Sequence, residues 1–414
     1  MTTVTPAIAH PAHLPLVPRE ELASRARRFA ARLRDDGLDG AFLLHPSSLF
    51  WISGTLSDAY PFVSADGAAV LPLRTGVARA ARESPLPQAP IRRIADLPEA
   101  LAALGARIEG PVGIELDVVP VATWQRLEKL FPRATFRDCS RAIREVRAVK
   151  SAYEIGWIER AAETLRVVMD EVLPARIRPG VPEIELCAFL EGELRARRHQ
   201  GIVRMRRWNL EMSIGVLSAG ASASYPCYFD GPDGLEALYP AVQQGGGERR
   251  LERGVTVMVD FVGGAGGYLA DRTRIFCIDE PPAEARDAHA FCREMLDEIT
   301  ARLEPGATPS AVHAEVMAIA ARSPFADRFM GWGENRVGFL GHGIGIDLDE
   351  LPVLAPGFDA PLEAGNVVAV EPKVFLGEAG GVGVENTYLL TEGGCRNLTP
   401  GPEEIRVVGA GRHA

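Results

Sequence analysis

The stretch 254–278, GVTVMVDFVGGAGGYLADRTRIFCI, decides how this chain is read. It holds two β-branched apolar runs joined by GGAGG (263–267), which predicts a β-hairpin with a five-residue glycine turn. Each arm carries one acid inside its apolar run: Asp260 and Asp271. A second stretch, NVVAVEPKVFLGEAGGVGVENTYLLT (366–391), repeats the design with Glu371 and Glu385. An unpaired carboxylate is costly to bury in such a strand. Between the two ribbons, FLGHGIG (339–345) supplies His342. Four carboxylates and an imidazole form an oxygen-rich set suited to two divalent cations such as Mn, Co, Zn or Fe. Two such ions roughly 3.5–4 Å apart can share a hydroxide and clamp a tetrahedral intermediate. A single acid of this kind reads equally well as a strand salt bridge. Five such residues in two matching ribbons and one glycine-flanked loop read as the centre of a metal-dependent enzyme.

Outward from the ribbons, helices are expected over 282–304 and 309–321, giving an α+β domain with a curved antiparallel sheet. The similarity of the two ribbons suggests an internal duplication. Upstream, apolar Ile155, Ile158, Ala161, Leu165 and Val168 recur at helical spacing, predicting one long amphipathic helix over 140–173. A second helix follows in PEIELCAFLEGELRARRH (182–199). From residue 19 to about 145 helices and strands alternate: a helix over 19–35, strands in AFLLH (41–45) and VGIEL (112–116), a short apolar run GAAVLPL (67–73), and helices in LPEALAALG (97–105) and VATWQRLEKLF (121–131). That pattern predicts an α/β layer domain. The expected division is a flexible arm over 1–18, an α/β domain over 19–145 and a catalytic domain over 146–414.

The formal net charge of −10, from 45 basic and 55 acidic residues, argues against a nucleic-acid footprint. No run approaches eighteen uninterrupted apolar residues, so no membrane span is expected. The proline-rich start MTTVTPAIAHPAHLPLVP does not read as a signal peptide. Six scattered cysteines without a C-x-x-C pair read as reduced thiols of a cytoplasmic protein.

The strings DFVGGAGGYLADRTRIF, GHGIGIDLDELP, AVEPK and GVGVENTYLLT carry a family resemblance. The order Asp, Asp, His, Glu, Glu resembles the pita-bread metallopeptidases: methionine aminopeptidase, aminopeptidase P, Xaa-Pro dipeptidase and the metal-free relative creatinase. The junction REVRAVKSAYEI resembles the entry to the catalytic domain in prolidase and creatinase relatives. The resemblance implies a creatinase/prolidase-type N-terminal α/β domain, a pita-bread catalytic domain and a homodimer. It implies that Asp271 and Glu385 bridge two divalent ions, that Asp260 completes one shell, and that His342 and Glu371 complete the other. Glu371 would take a proton from the bridging water, and the hydroxide would cleave a short peptide or peptide-like amide.

Several positions depart from the family's pattern. Cys227 and Asp349 stand where these peptidases carry histidines, Gly383 where prolidases carry arginine, Phe375 where tyrosine is frequent, and Lys373 where glycine is usual. Asp349 is expected to bind a cationic substrate group, act as a base, or form a structural salt bridge. Lys373 reads as a partner for a substrate carboxylate or as a solvated strand lysine. Cys227 reads as a nucleophile or ligand, or as an inert small residue. His45 and Trp51 lie in HPSSLFWISG (45–54), a loop that reaches the active site in dimeric relatives; the basic run RMRRW (204–208) reads as a solvated face, although the resemblance implies that Arg207 and Trp208 lie just upstream of a pocket wall. The remaining histidines, at 10, 13, 199, 289, 313 and 413, read as solvent residues. Three functions follow. The first is a dinuclear-metal hydrolase of short peptides. The second is a non-peptidase amidohydrolase or lyase acting on a zwitterion with Asp349 as base. The third is a non-catalytic binding protein.

Overall fold

The computed structural model describes residues 14–228 and 231–409, so most of the expected N-terminal arm lies outside the described residues. The chain divides into two compact units, Met1–Val146 and Arg147–Ala414.

In the first unit, strands β1 (Gly40–Phe42), β2 (Phe62–Ser64), β3 (Ala69–Leu73), β4 (Gln88–Pro90), β5 (Gly110–Ile114) and β6 (Ala134–Asp138) form one mixed sheet ordered β4-β3-β2-β1-β5-β6. Helices α1 (Arg19–Asp35), α2 (Pro46–Ser53), α3 (Val77–Glu83), α4 (Leu97–Ala103) and α5 (Val121–Leu130) join these strands. The segment expected as a loop at 45–54 is α2. Pro46 opens it, and Gly54 ends it with φ 73°, a pairing that suits a helix start and stop. The buried Glu115 carboxylate accepts from Leu44 N–H (2.7 Å), His45 N–H (2.8 Å) and Ser48 Oγ (2.6 Å), which satisfies the start of this helix. Trp51, within this helix, is fully buried.

The expected single helix over 140–173 is broken. Helix α6 (Ser140–Ala148) ends where Lys150 N–H donates to Gly365 O (2.8 Å). Helix α7 (Ala152–Val167) restarts at Ser151, whose hydroxyl accepts from Glu154 N–H while the Glu154 carboxylate accepts from Ser151 N–H. This reciprocal cap outweighs the apolar periodicity that runs through it. Helix α8 (Glu183–Ala196) follows, then α9 (Ala283–Thr300) and α10 (Pro309–Ala320) further on.

The second unit is built on strands β7 (Gly215–Ala219), β8 (Thr256–Ala265) and β9 (Tyr268–Ile278), with β19 (Arg406–Val408) on the far edge, ordered β19-β9-β8-β7. The β8–β9 ladder runs without slippage from Thr256↔Cys277 to Ala265↔Tyr268. Its turn is therefore two residues, Gly266 and Gly267, at φ 59° and 93°, rather than the five expected. Only glycine takes both positions readily. Gly263 and Gly264 stay in the strand because neighbours press on it: a Cβ at Gly263 would lie 2.4 Å from Ala161 O.

Side chains alternate along β8. Val257, Val259 and Phe261 join the cluster holding Leu165, Leu186 and Leu190. Met258 points to the opposite cluster, with Ile275, Met295, Val370 and Val374. The same alternation puts Asp260 on the face of Met258.

A small ribbon, β10 (Gly331–Trp332) with β11 (Asn335–Arg336), precedes the strand that carries His342. A second sheet contains β12 (Gly341–Gly343), β13 (Glu350–Val353), β14 (Val367–Val370), β17 (Asn386–Thr391) and β18 (Gly394–Asn397), ordered β13-β12-β14-β17-β18. The second predicted hairpin is not one ribbon. Strand β14 pairs with β17 in this sheet, whereas β15 (Lys373–Phe375) and β16 (Gly381–Gly383) pair separately. Pro372 has no N–H to continue the ladder, so the ribbon is interrupted beside Glu371. Pairing on either side of the break, Val370↔Asn386 and Lys373↔Gly383, keeps one register and sets Glu371 opposite Glu385.

His199 and His289 are buried rather than solvated. His199 Nδ1 accepts from Gly201 N–H (2.9 Å), and His289 Nε2 donates to Glu403 O (2.6 Å). Burial pushes both imidazoles down to a pKa of about 4. His313 is half-buried, and His10, His13 and His413 lie outside the described residues. All six thiols are free. Among the described residues no helix is long and apolar enough to cross a membrane.

Candidate metal centre

The two acid-bearing ribbons and the GHG strand converge. One ligand atom from each of Asp271, His342 and Glu385 lies within 4.8 Å of the others, and Asp233, Asp260 and Glu371 form a second such group. Five of these six were expected from the sequence; Asp233 was not. All six are buried or nearly so.

His342 sits in the middle of β12, between two glycines that let neighbouring strands approach. A Cβ at Gly341 would lie 2.4 Å from Ala369 O, and one at Gly343 would lie 2.2 Å from Leu351 O. The ring's Nδ1 faces only acceptors: Leu348 O (3.0 Å), Gly343 O (3.1 Å) and Asp349 Oδ1 (3.4 Å). It therefore carries the proton, and Nε2 turns its lone pair inward, 3.6 Å from Glu371 Oε1. Burial disfavours the imidazolium, but Asp349 and Glu371 more than offset it and raise the His342 pKa.

Glu385 is held at one oxygen. Thr273 Oγ1 donates to its Oε2 (2.7 Å), and Arg274 donates to its backbone carbonyl (2.8 Å). The other oxygen, Oε1, is buried with no hydrogen-bond donor, a costly state for a carboxylate. Burial and the neighbouring carboxylates drive the pKa of Asp271 and Glu385 well up. Burial does the same to Asp233, against the pull of Lys373. Asp260 alone moves down, because Lys373 overcomes its burial penalty.

Lys373 is fully buried inside this acid cluster. Its Nζ lies 2.5 Å from Asp260 Oδ2, 2.9 Å from Glu371 Oε2, 3.3 Å from Asp233 Oδ2 and 3.7 Å from Glu385 Oε2. This corrects both sequence expectations for it: the side chain neither meets solvent nor is free to receive a substrate carboxylate. Its carboxylate neighbours hold its ammonium charged against burial.

The two acid groups therefore differ as cation sites. Asp271, His342 and Glu385 fit a divalent ion: two carboxylates, an inward lone pair and the orphaned Glu385 Oε1 suit a borderline metal. The Asp233–Asp260–Glu371 group does not fit one, because the Lys373 ammonium already stands among its oxygens.

The cleft over the centre has an apolar wall of Met205, Met212, Val216, Val262 and Leu348. Its polar lining is Asp233, Asp260, Asp271, Asp349, Glu371 and His342. Asp349 is the most reachable acid, with its side chain 27% exposed. It rides on a loop fixed from below. Glu350 accepts from Ile346 N–H (2.9 Å), Asp347 N–H (3.1 Å) and Lys150 Nζ (3.1 Å), and Arg147 pairs with both Glu350 and Asp347.

Cys227 is turned from the cleft: its thiol donates to Asp233 O (3.2 Å), and burial pushes its pKa up to about 12. A buried thiol raised in this way is a weak nucleophile. Gly383 stands across from Lys373 on the β15–β16 ribbon. Phe375 is buried in the core. Trp208 is exposed, and the neighbouring pocket wall is made by Met205 and Met212. His45 belongs to the first unit, at the start of α2.

Comparison with known proteins identifies the family. Residues 156–392 match metallopeptidase family M24, and residues 25–149 match the Creatinase/Prolidase N-terminal domain. A Xaa-Pro dipeptidase of Pyrococcus furiosus is 24% identical over 389 residues, covering 93% of this chain and all of that protein. The crystal structure of an X-Pro aminopeptidase from Thermotoga maritima superposes with a TM-score of 0.76 at 23% identity, over 92% of this chain and 99% of that one. The prolidase from Pyrococcus horikoshii OT3 superposes with a TM-score of 0.76 at 21% identity, over 92% and 99%. The resemblance read from the sequence thus holds for the family and for the two-domain pita-bread fold: this chain is a metallohydrolase of metallopeptidase family M24.

Proposed function

We propose that the chain hydrolyses a short peptide or peptide-like amide, in the manner of the Xaa-Pro dipeptidases it is similar to. The observation that carries this reading is the meeting of Asp271, His342 and Glu385 beneath an open cleft, with Glu385 Oε1 left without a donor. These three residues would hold a divalent ion, which when bound supplies Lewis acidity and lowers the pKa of water.

The chain's own residues do the rest. Glu371 is tethered at Oε2 by Lys373, and its Oε1 faces His342 across the cleft floor. That oxygen is placed to take a proton from an attacking water and return it to the leaving amine. Asp349 presents a carboxylate at the cleft mouth, suited to the cationic amino terminus of a peptide. The methionine wall excludes water and adapts to varied side chains.

A second reading is favoured by one observation. Among the described residues, the polar lining of the cleft is acidic apart from His342. That suits a small cationic or zwitterionic substrate, with Asp349 as the base. Purified protein supplied with Mn, Co or Zn and assayed on X-Pro dipeptides, longer X-Pro peptides and small betaines separates the two. The first reading expects proline or peptide release that is abolished in His342→Ala and persists in Asp349→Ala with a raised KM. Turnover confined to the betaines, and lost in Asp349→Ala, would reject it for the second.

A further inference from the structure

Lys373 is an unusual feature of this centre. A lysine side chain is rarely fully buried, and an ammonium needs several acceptors when it is. Here Nζ has four carboxylates around it, at 2.5, 2.9, 3.3 and 3.7 Å. Three of them, Asp233, Asp260 and Glu371, are the residues whose oxygens otherwise gather closely enough to hold a metal ion. A divalent ion at that point would lie within a few ångströms of a fixed positive charge and would have to share its oxygens.

The lysine stem is also built in. Lys373 pairs with Gly383 across the β15–β16 ribbon, and a Cβ on Gly383 would lie 2.5 Å from Lys373 Cγ and 3.0 Å from its Cα. The absent side chain at 383 is the space through which the lysine stem passes. Val374 and Phe375 next to it are core residues of the same ribbon, so the stem has little room to swing out. The neighbouring group differs: Glu385 Oε1 lacks any donor, and His342 Nε2 points inward.

We propose that the Lys373 ammonium permanently takes the place of a second metal ion, so that each chain holds one divalent ion, at Asp271, His342 and Glu385. The centre is then a mixed pair, one exchangeable dication beside one covalently tethered monocation. Asp260 and Glu371 Oε2 are salt-bridge partners of the lysine rather than metal ligands. This inference rests on reading the cluster as a metal centre.

The test is a count of ions. The full-length protein is stripped with a chelator, loaded with excess Mn²⁺, freed of unbound metal and measured for metal per chain. Electron paramagnetic resonance of the Mn²⁺-loaded protein gives a second readout, separating isolated from coupled ions. The wild type is expected to hold one ion with an uncoupled spectrum. Lys373→Gly, which empties the position, is expected to hold two with a coupled spectrum, and Lys373→Ala serves if the glycine variant does not fold. Two ions in the wild type overturn the proposal while leaving the metal centre intact. No ion in the wild type or in either variant overturns the metal centre as well. A folded variant that takes no more metal than the wild type also overturns the replacement.

Discussion

Gly383 lies directly across the β15–β16 ribbon from Lys373, and the lysine Cγ occupies the space that a side chain at 383 would claim. The two residues therefore act as one unit: the buried cation requires the missing Cβ. Gly383 has an ordinary extended backbone rather than a positive φ, so alanine there pays no conformational penalty and acts only by crowding. Gly383→Ala is expected to destabilise the protein by about 1–3 kcal/mol, the range for overpacking a filled core. In Lys373→Gly the closest clash, with the lysine Cγ, is gone while the Pro372 carbonyl at 2.9 Å remains, so the same substitution should cost less, and a double-mutant cycle by urea denaturation measures the difference. Full additivity would show that the two sites are independent.

Thr273 holds the candidate ligand Glu385 through its Oε2, at 2.7 Å, and leaves Oε1 to face the ion position. Thr273→Val keeps the β-branched shape in the β9 strand but removes that donor. Outer partners of metal ligands commonly contribute 10–100-fold in affinity. Mn²⁺ affinity of the variant, measured by calorimetry, is expected to fall by roughly that factor. The far-ultraviolet dichroism should not change. Unaltered affinity would mean that Glu385 is oriented by other contacts.

The sequence revealed the acids of this centre more readily than its cation. Asp260, Asp271, Glu371 and Glu385 each interrupt a β-branched run, and a carboxylate in such a run needs an explanation on burial grounds alone. Asp233 gives no such signal, because GPDG reads as an ordinary turn. Lys373 was visible as a residue but not as a buried one: period-two alternation tells which face a side chain takes, not whether both faces are covered. The break between α6 and α7 was written in SAYE (151–154), a capping box, but the apolar spacing continues through it and masks the stop. The two ribbons look alike in sequence, yet Pro372 interrupts only the second, and its break leaves Glu371 and Glu385 opposite each other between two separately paired segments.

His199 and His289 make the fold sensitive to mild acid. Burial lowers both imidazoles to a pKa of about 4 from an ordinary value of 6.5. Below pH 6.5 the unfolded chain takes up protons that the folded chain refuses, so stability falls as pH drops from about 6.5 towards 4. The full effect is on the order of 3 kcal/mol for each residue. Buried Glu183, its pKa raised to about 7, acts in the opposite direction, so the histidine contribution is read from urea midpoints at pH 7 and pH 5 compared between the wild type and a histidine variant. His289→Gln, which keeps a donor for Glu403 O, should fare better than the wild type at pH 5 relative to pH 7. Equal slopes for the two proteins would assign the acid sensitivity elsewhere.

Glu350 is the underside of the loop that carries Asp349 and supplies Leu348 O to His342. It receives Ile346 N–H, Asp347 N–H and Lys150 Nζ and pairs with Arg147, all out of solvent. Burial works against its charge, but Arg147 and Lys150 prevail and bring its pKa down to about 2 from 4.5. Its contribution is therefore complete above pH 4.5 and is lost as pH falls from there towards 2. Breaking a buried pair by removing one member typically costs about 3–5 kcal/mol, because the other charge is left uncompensated. Glu350→Ala is expected to lose that much stability at pH 7, with less of the difference remaining near pH 3. It should also weaken divalent-ion binding, since a loosened 346–350 loop no longer fixes the His342 ring through Leu348 O. If thermal stability falls but ion affinity stays at the parent value, the loop supports the fold without orienting the imidazole.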